Sequence, residues 1–142
     1  MAAQFNLSGV KWSDRKMPVR YYVYTGGLPS GITHAEMVKA IDGAFAAWED
    51  VSDAFIRFQR VGSGTQYSTG NHSDGVVTVG FGEATPGALA HSVWISNGSE
   101  LTEFDVVLGT DRATWSTQPS GSLVDVWATA AHEIGHGLGI VG

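Results

Sequence analysis

Three residues near the end of the chain, His132, Glu133 and His136, constrain its fold more than any other feature, because they act together in only one simple conformation. On an α-helix, residues four apart project from the same face, so both imidazoles aim at one point with Glu133 beside them. Histidines placed this way can hold zinc, and the neighbouring carboxylate can act as base toward a zinc-bound water. Trp127, Ala130, Ala131, Ile134 and Leu138 form one apolar stripe along the same segment, so the helix must lie on a flat apolar layer. Ser122 and Asp125 have capping-box spacing at its start. A metal on this helix would lie between it and a sheet edge.

The preceding sequence supplies such a layer. Val19–Tyr24 is rich in β-branched and aromatic residues and is expected to be a first strand, broken by Gly26 to Gly31. Thr33 and Glu36 form a capping box, and Ile32 and Met37 are spaced as a hydrophobic staple. A helix is expected behind them, with Met37, Val38, Ile41, Ala44, Phe45 and Trp48 on one apolar face. Further strands are expected at 55–61, 76–81, 88–95 and 103–108, the 76–81 strand inside the sheet because both of its faces are apolar. A Gly/Ser/Thr-rich loop is expected from Gly62 to Gly75, and a turn at 96–99.

Gly139 falls three residues after His136, and with it the stretch resembles the metzincin metalloproteases, whose signature is HExxHxxGxxH. Among them it is most similar to the matrixins, whose helix often reads like Ala130-Ala131-His132-Glu133-Ile134-Gly135-His136-Gly137-Leu138-Gly139. The order of five strands and two helices from Trp12 onward resembles their catalytic domain as well. This likeness implies an α+β, zincin-like fold in which a twisted five-stranded mixed sheet packs on two helices. It implies a secreted zinc endopeptidase hydrolysing internal bonds of extended polypeptides, with His132 and His136 on the metal, Glu133 as catalytic base and Gly139 ending the helix. By the same likeness the fourth strand holds the substrate by main-chain pairing, which assigns Ala88, Leu89 and Ala90 to substrate binding.

The third-histidine position of the signature is Gly142. Three explanations stay open on the sequence: a truncated or self-cleaved piece of a longer protease, a substitute ligand such as His72, His91 or an acid, or a catalytically dead relative that binds peptides along its fourth strand. The expectation for residues 1–142 is a single catalytic domain lacking the methionine-containing turn and last helix of the family. It carries the further expectation of self-association or a companion C-terminal fragment. The N-terminus reads as a mature domain behind an added start methionine.

Composition narrows the partners. The chain has 142 residues, a net charge of -6 and 43% hydrophobic residues, which suits one core. Eight scattered Lys and Arg residues do not make a phosphate-binding surface, so no nucleic-acid partner is expected. No apolar run is long enough to span a bilayer, and the absence of cysteine rules out disulfides and thiolate ligands.

The remaining candidates weigh less. His91 stands where matrixins bind a structural zinc, but the Gly82–Gly87 connector is too short for the loop that completes the site and Glu103 replaces a histidine, so no structural zinc is expected. His72 and Asp74 form an HxD pair in the Gly-rich loop, His34 is expected to be exposed, and Asp105 and Asp111 are weak calcium candidates. The five tryptophans are expected to pack in the core and at its rim.

Overall fold

The structure, a computed structural model, describes residues 17–51, 56–69, 76–98, 100–118, 121 and 123–138. Trp12, Phe55, His72, Asp74, Ser122, Gly139 and Gly142 lie outside these residues. Among the described residues, seven strands and two helices follow one another as β1 (Val19–Tyr24), α1 (His34–Val51), β2 (Phe58–Gly64), β3 (Val77–Gly82), β4 (Ala90–Asn97), β5 (Glu100–Gly109), β6 (Trp115–Ser116), β7 (Val124–Asp125) and α2 (Val126–Gly137). Five strands form a mixed sheet in the order β2-β1-β3-β5-β4, with β6 and β7 as a separate two-stranded pair. The architecture is the α+β arrangement expected, a five-stranded mixed sheet with two helices.

Strands β2, β1, β3 and β5 run parallel, whereas β4 runs antiparallel to β5 and forms an edge. β3 is central, and Val77, Val79 and Phe81 are buried with Thr78, as the two-sided apolar pattern implied. Thr78 is tolerated there because its hydroxyl donates to the Val76 carbonyl at 3.3 Å, and its N–H donates to buried Asp105 on β5 at 3.0 Å. Asp105 is therefore a strand residue bonded inside the sheet, whereas Asp111 lies in the exposed turn after β5.

The capping box at the start of α1 is formed. The Thr33 N–H donates to Glu36 Oε1 at 2.9 Å, and the Glu36 N–H donates to Thr33 Oγ1 at 3.1 Å. Ile32 and Met37 are both buried beside it. Met37, Ile41, Ala44 and Phe45 enter the core, where Phe45 stacks on Tyr21 of β1 at 3.8 Å between centroids. The Tyr21 hydroxyl donates to Asp42 at 2.6 Å, and burial, reinforced by this carboxylate, pushes the phenol well above its ordinary value.

Several boundaries differ from the sequence expectation. β2 extends to Gly64, because Gly62, Ser63 and Gly64 pair with Tyr22, Val23 and Tyr24 beyond a register shift at Tyr21/Tyr22. Main-chain pairing to a well-formed neighbour overrides the loop-like composition, and Gly62 leaves room for the Tyr22 ring. β5 begins at Glu100, so the β4–β5 turn is tighter than expected, with Gly98 at φ +66° supplying its left-handed residue.

At the start of α2 the cap is Asp125, whose carboxylate accepts from the Trp127 N–H at 3.0 Å. Val124 and Asp125 belong to β7 and pair with Trp115 and Ser116, so the helix begins later than a Ser122 cap would place it. That start turns Val126 into the core and leaves Trp127 at 42% exposure, a correction to the expected stripe. Ala130, Ile134 and Leu138 are buried as expected.

Candidate active site

Two close contacts fix α2 and hence the direction of its histidines. The Trp48 indole N–H donates to the Ala131 carbonyl at 2.7 Å, tying α1 to the residue before His132. A Cβ on Gly135 would stand 2.7 Å from Trp48 Cζ2, so the hydrogen at that position lets the indole lie against the helix. Two residues on, and on nearly the opposite side of the helix, a Cβ on Gly137 would fall 2.3 Å from the Phe104 ring of β5. The glycines between and after the histidines thus seat the helix on α1 and on the sheet.

His132 and His136 then converge. Their Nε2 atoms are 3.2 Å apart, with the rings edge to face. His132 is exposed and His136 partly so, whereas Glu133 retains 9% exposure. Among the described residues these three form a group whose ligand-capable atoms lie within 4.8 Å of one another. The pair fits a tetrahedral zinc: two nitrogens at 2.0–2.1 Å from the ion are separated by roughly 3.3 Å at the tetrahedral angle. Coordination through the two Nε2 atoms would assign the Nδ1 atoms to outer partners.

His91 does not join this group. The Ser92 side chain points from β4 to Glu133, so strand alternation turns His91 to the opposite face. Its Nδ1 accepts the Thr85 N–H at 3.0 Å, a strand residue bonded to the neighbouring connector. His34 is exposed and meets Ser63 Oγ through Nε2 at 3.0 Å.

Of the residues assigned to substrate binding, Ala90 opens β4, while Ala88 and Leu89 precede it. The Ala88 N–H is turned back to the Thr85 carbonyl at 2.9 Å, so Ala88 closes the connector. The Leu89 carbonyl accepts from the Gly109 N–H at 3.0 Å and faces β5. Alternation then directs the main-chain groups of Ala90 to the unpaired edge of the sheet. Leu89 and Ala90 line an open cleft of about 460 Å³ with Ala128, Thr129, His132 and Glu133. The strand edge and the histidine helix therefore share one groove.

Ser92 is a site residue that the sequence reading passed over. Its hydroxyl lies 2.7 Å from the Glu133 carbonyl and 3.0 Å from Glu133 Oε1. The signal was a lone polar residue in the alternating row Ala90, Ser92, Trp94, whose outer members pack on the core.

A two-histidine helix with an adjacent glutamate, laid against the edge strand of a mixed sheet, makes a group that could hold a metal ion beside an open strand. The matrixin family pattern matches residues 11–141, and the chain belongs to that family. It is similar to karilysin of Tannerella forsythia, with 35% identity over 94% of this chain and 27% of that protein. The hatching enzyme of Paracentrotus lividus is 33% identical over 96% of the chain and 21% of its own length. Stromelysin-2 of Rattus norvegicus is 30% identical over 92% of the chain and 25% of its own length. The chain thus spans about a quarter of the length of these relatives. Among the described residues, no helix is long and apolar enough to cross a membrane.

Proposed function

We propose that residues 1–142 act as a single catalytic domain of a secreted zinc endopeptidase, cutting internal bonds of extended polypeptides. The observation that carries this reading is the 3.2 Å pairing of His132 and His136 Nε2 beside Glu133, in the groove bordered by the free edge at Ala90. His132 and His136 would hold the ion, which when bound supplies Lewis-acid polarisation and lowers the pKa of a coordinated water. Ala90 orients an extended substrate by offering its outward N–H and C=O to the substrate main chain. Glu133, in the same groove, takes the proton of the attacking water on its carboxylate and passes it to the leaving amine. Its low exposure limits competition from bulk water at that carboxylate.

The test is zinc content of the purified chain, together with hydrolysis of an unstructured protein by the parent and by Glu133→Ala. Stoichiometric zinc and internal cleavage that disappears in the variant support the reading. A parent without zinc, or one no faster than the variant, sinks it and favours the second reading. That second reading, motivated by Gly142 in place of a third histidine, is a dead matrixin-like fragment that binds peptides along β4.

A further inference from the structure

We infer that Ser92 is a positioning residue for Glu133, holding the carboxylate of the base in the orientation that proton transfer requires. The inference rests on the reading of Glu133 as general base. Ser92 lies on the edge strand and Glu133 on α2, 41 residues apart in sequence. The row that Ser92 occupies is otherwise apolar, with Ala90 and Trp94 packed on the core. A hydroxyl on that face must find an acceptor, and it finds two on one residue: the Glu133 carbonyl at 2.7 Å and Oε1 at 3.0 Å.

The pairing has a chemical consequence. A free glutamate side chain turns about three bonds, and a base that samples many rotamers spends little time in reach of its proton. With the single Ser92 hydroxyl hydrogen shared between the Glu133 carbonyl and Oε1, rotation of the carboxylate is restricted and Oε2 is left to accept the proton. No proton leaves Ser92 in this scheme; its O–H remains a donor throughout. Because the same hydroxyl reaches the backbone carbonyl of Glu133, the base is fixed relative to the strand that carries the substrate edge. The alternative role for Ser92 is purely structural, in which it serves only that carbonyl and pins helix to strand.

The experiment compares the parent, Ser92→Ala, Ser92→Thr, Glu133→Ala and the Ser92→Ala/Glu133→Ala double variant in three assays. These are zinc affinity by chelator competition, kcat and KM for an unstructured protein substrate, and melting temperature of the metal-free chains. Positioning predicts that Ser92→Ala lowers kcat roughly 10- to 100-fold, with KM and zinc affinity within about threefold of the parent. Ser92→Thr, which keeps the hydroxyl, restores most of kcat. In the metal-free chains, the Tm decrease caused by Ser92→Ala is smaller in the Glu133→Ala background than in the parent, because the two side chains are coupled.

An unchanged kcat in Ser92→Ala overturns the inference while leaving the endopeptidase reading intact. So does an equal Tm decrease in both backgrounds, which assigns the hydroxyl to the backbone carbonyl alone. A parent that binds no zinc and cuts nothing overturns the endopeptidase reading and the role of Ser92 with it.

Discussion

The indole N–H of Trp48 donates to the carbonyl of Ala131 at 2.7 Å, so a side chain of the first helix holds the backbone of the second immediately before His132. Trp48→Phe keeps an aromatic ring but deletes the donor. Loss of one such bond, with a small packing defect, costs about 1–2 kcal/mol and lowers the melting temperature by roughly 3–6 °C. Differential scanning calorimetry of the metal-free chain checks this; an unchanged Tm means the bond contributes nothing.

Gly137→Ala sets two effects against each other. Alanine is favoured over glycine by at most about 1 kcal/mol in a helix, and Gly137 is the last residue of α2, where the gain is smaller. The added Cβ, however, meets three atoms of the Phe104 ring at 2.3, 2.4 and 2.6 Å, and that ring is fully buried. Overpacking of this kind costs roughly 1–3 kcal/mol or more, so the substitution is expected to destabilise. A lower urea midpoint at unchanged m-value is the expected result. A higher midpoint shows that Phe104 yields without cost.

His132→Ala and His136→Ala test the metal set separately. Structural zinc sites with four protein ligands bind with about 10–16 kcal/mol in total, an average of about 2.5–4 kcal/mol per ligand, which sets the scale for the two histidines assigned here. Each substitution is therefore expected to weaken zinc binding roughly a hundred- to thousandfold by chelator competition. Equal affinity of parent and variant removes that histidine from the site.

Glu36 gives a pH-dependent signature. The Thr33 N–H and hydroxyl hold its carboxyl below the ordinary glutamate value. A depressed folded-state pKa means that the contribution is present above the ordinary value and is lost as pH falls through the lowered one. The Tm difference between the parent and Glu36→Gln is thus expected near neutrality and should shrink in strong acid. A difference independent of pH attributes the effect to shape alone.

Legibility in the sequence followed the range of the forces involved. Local rules located the capping box at Thr33 and Glu36, the buried central strand and the convergence of His132 with His136, because each depends on spacing within a few residues. Long-range pairing escaped those rules. Nothing local announced that Gly62–Gly64 would continue β2, since their strand character comes from Tyr22–Tyr24 across the sheet. Likewise the late start of α2 reflects the pairing of Val124 with Trp115, which turned Trp127 outward. Ser92 was hidden for the same reason, because its importance depends on which helix lies above β4.

The two braces of the active-site helix also bear on when a working site can exist. Trp48 and Ala131 are 83 residues apart and Ser92 and Glu133 are 41 apart, so each contact closes a long loop whose entropy must be overcome first. Contacts of such high sequence separation form late and cooperatively. A nascent or partly unfolded chain could form the helix that pairs His132 with His136 but would lack the strand edge and the Ser92 contact beside it. Under the endopeptidase reading, cutting power therefore arrives only with the completed fold, when the chain's own extended segments have already been drawn into the sheet.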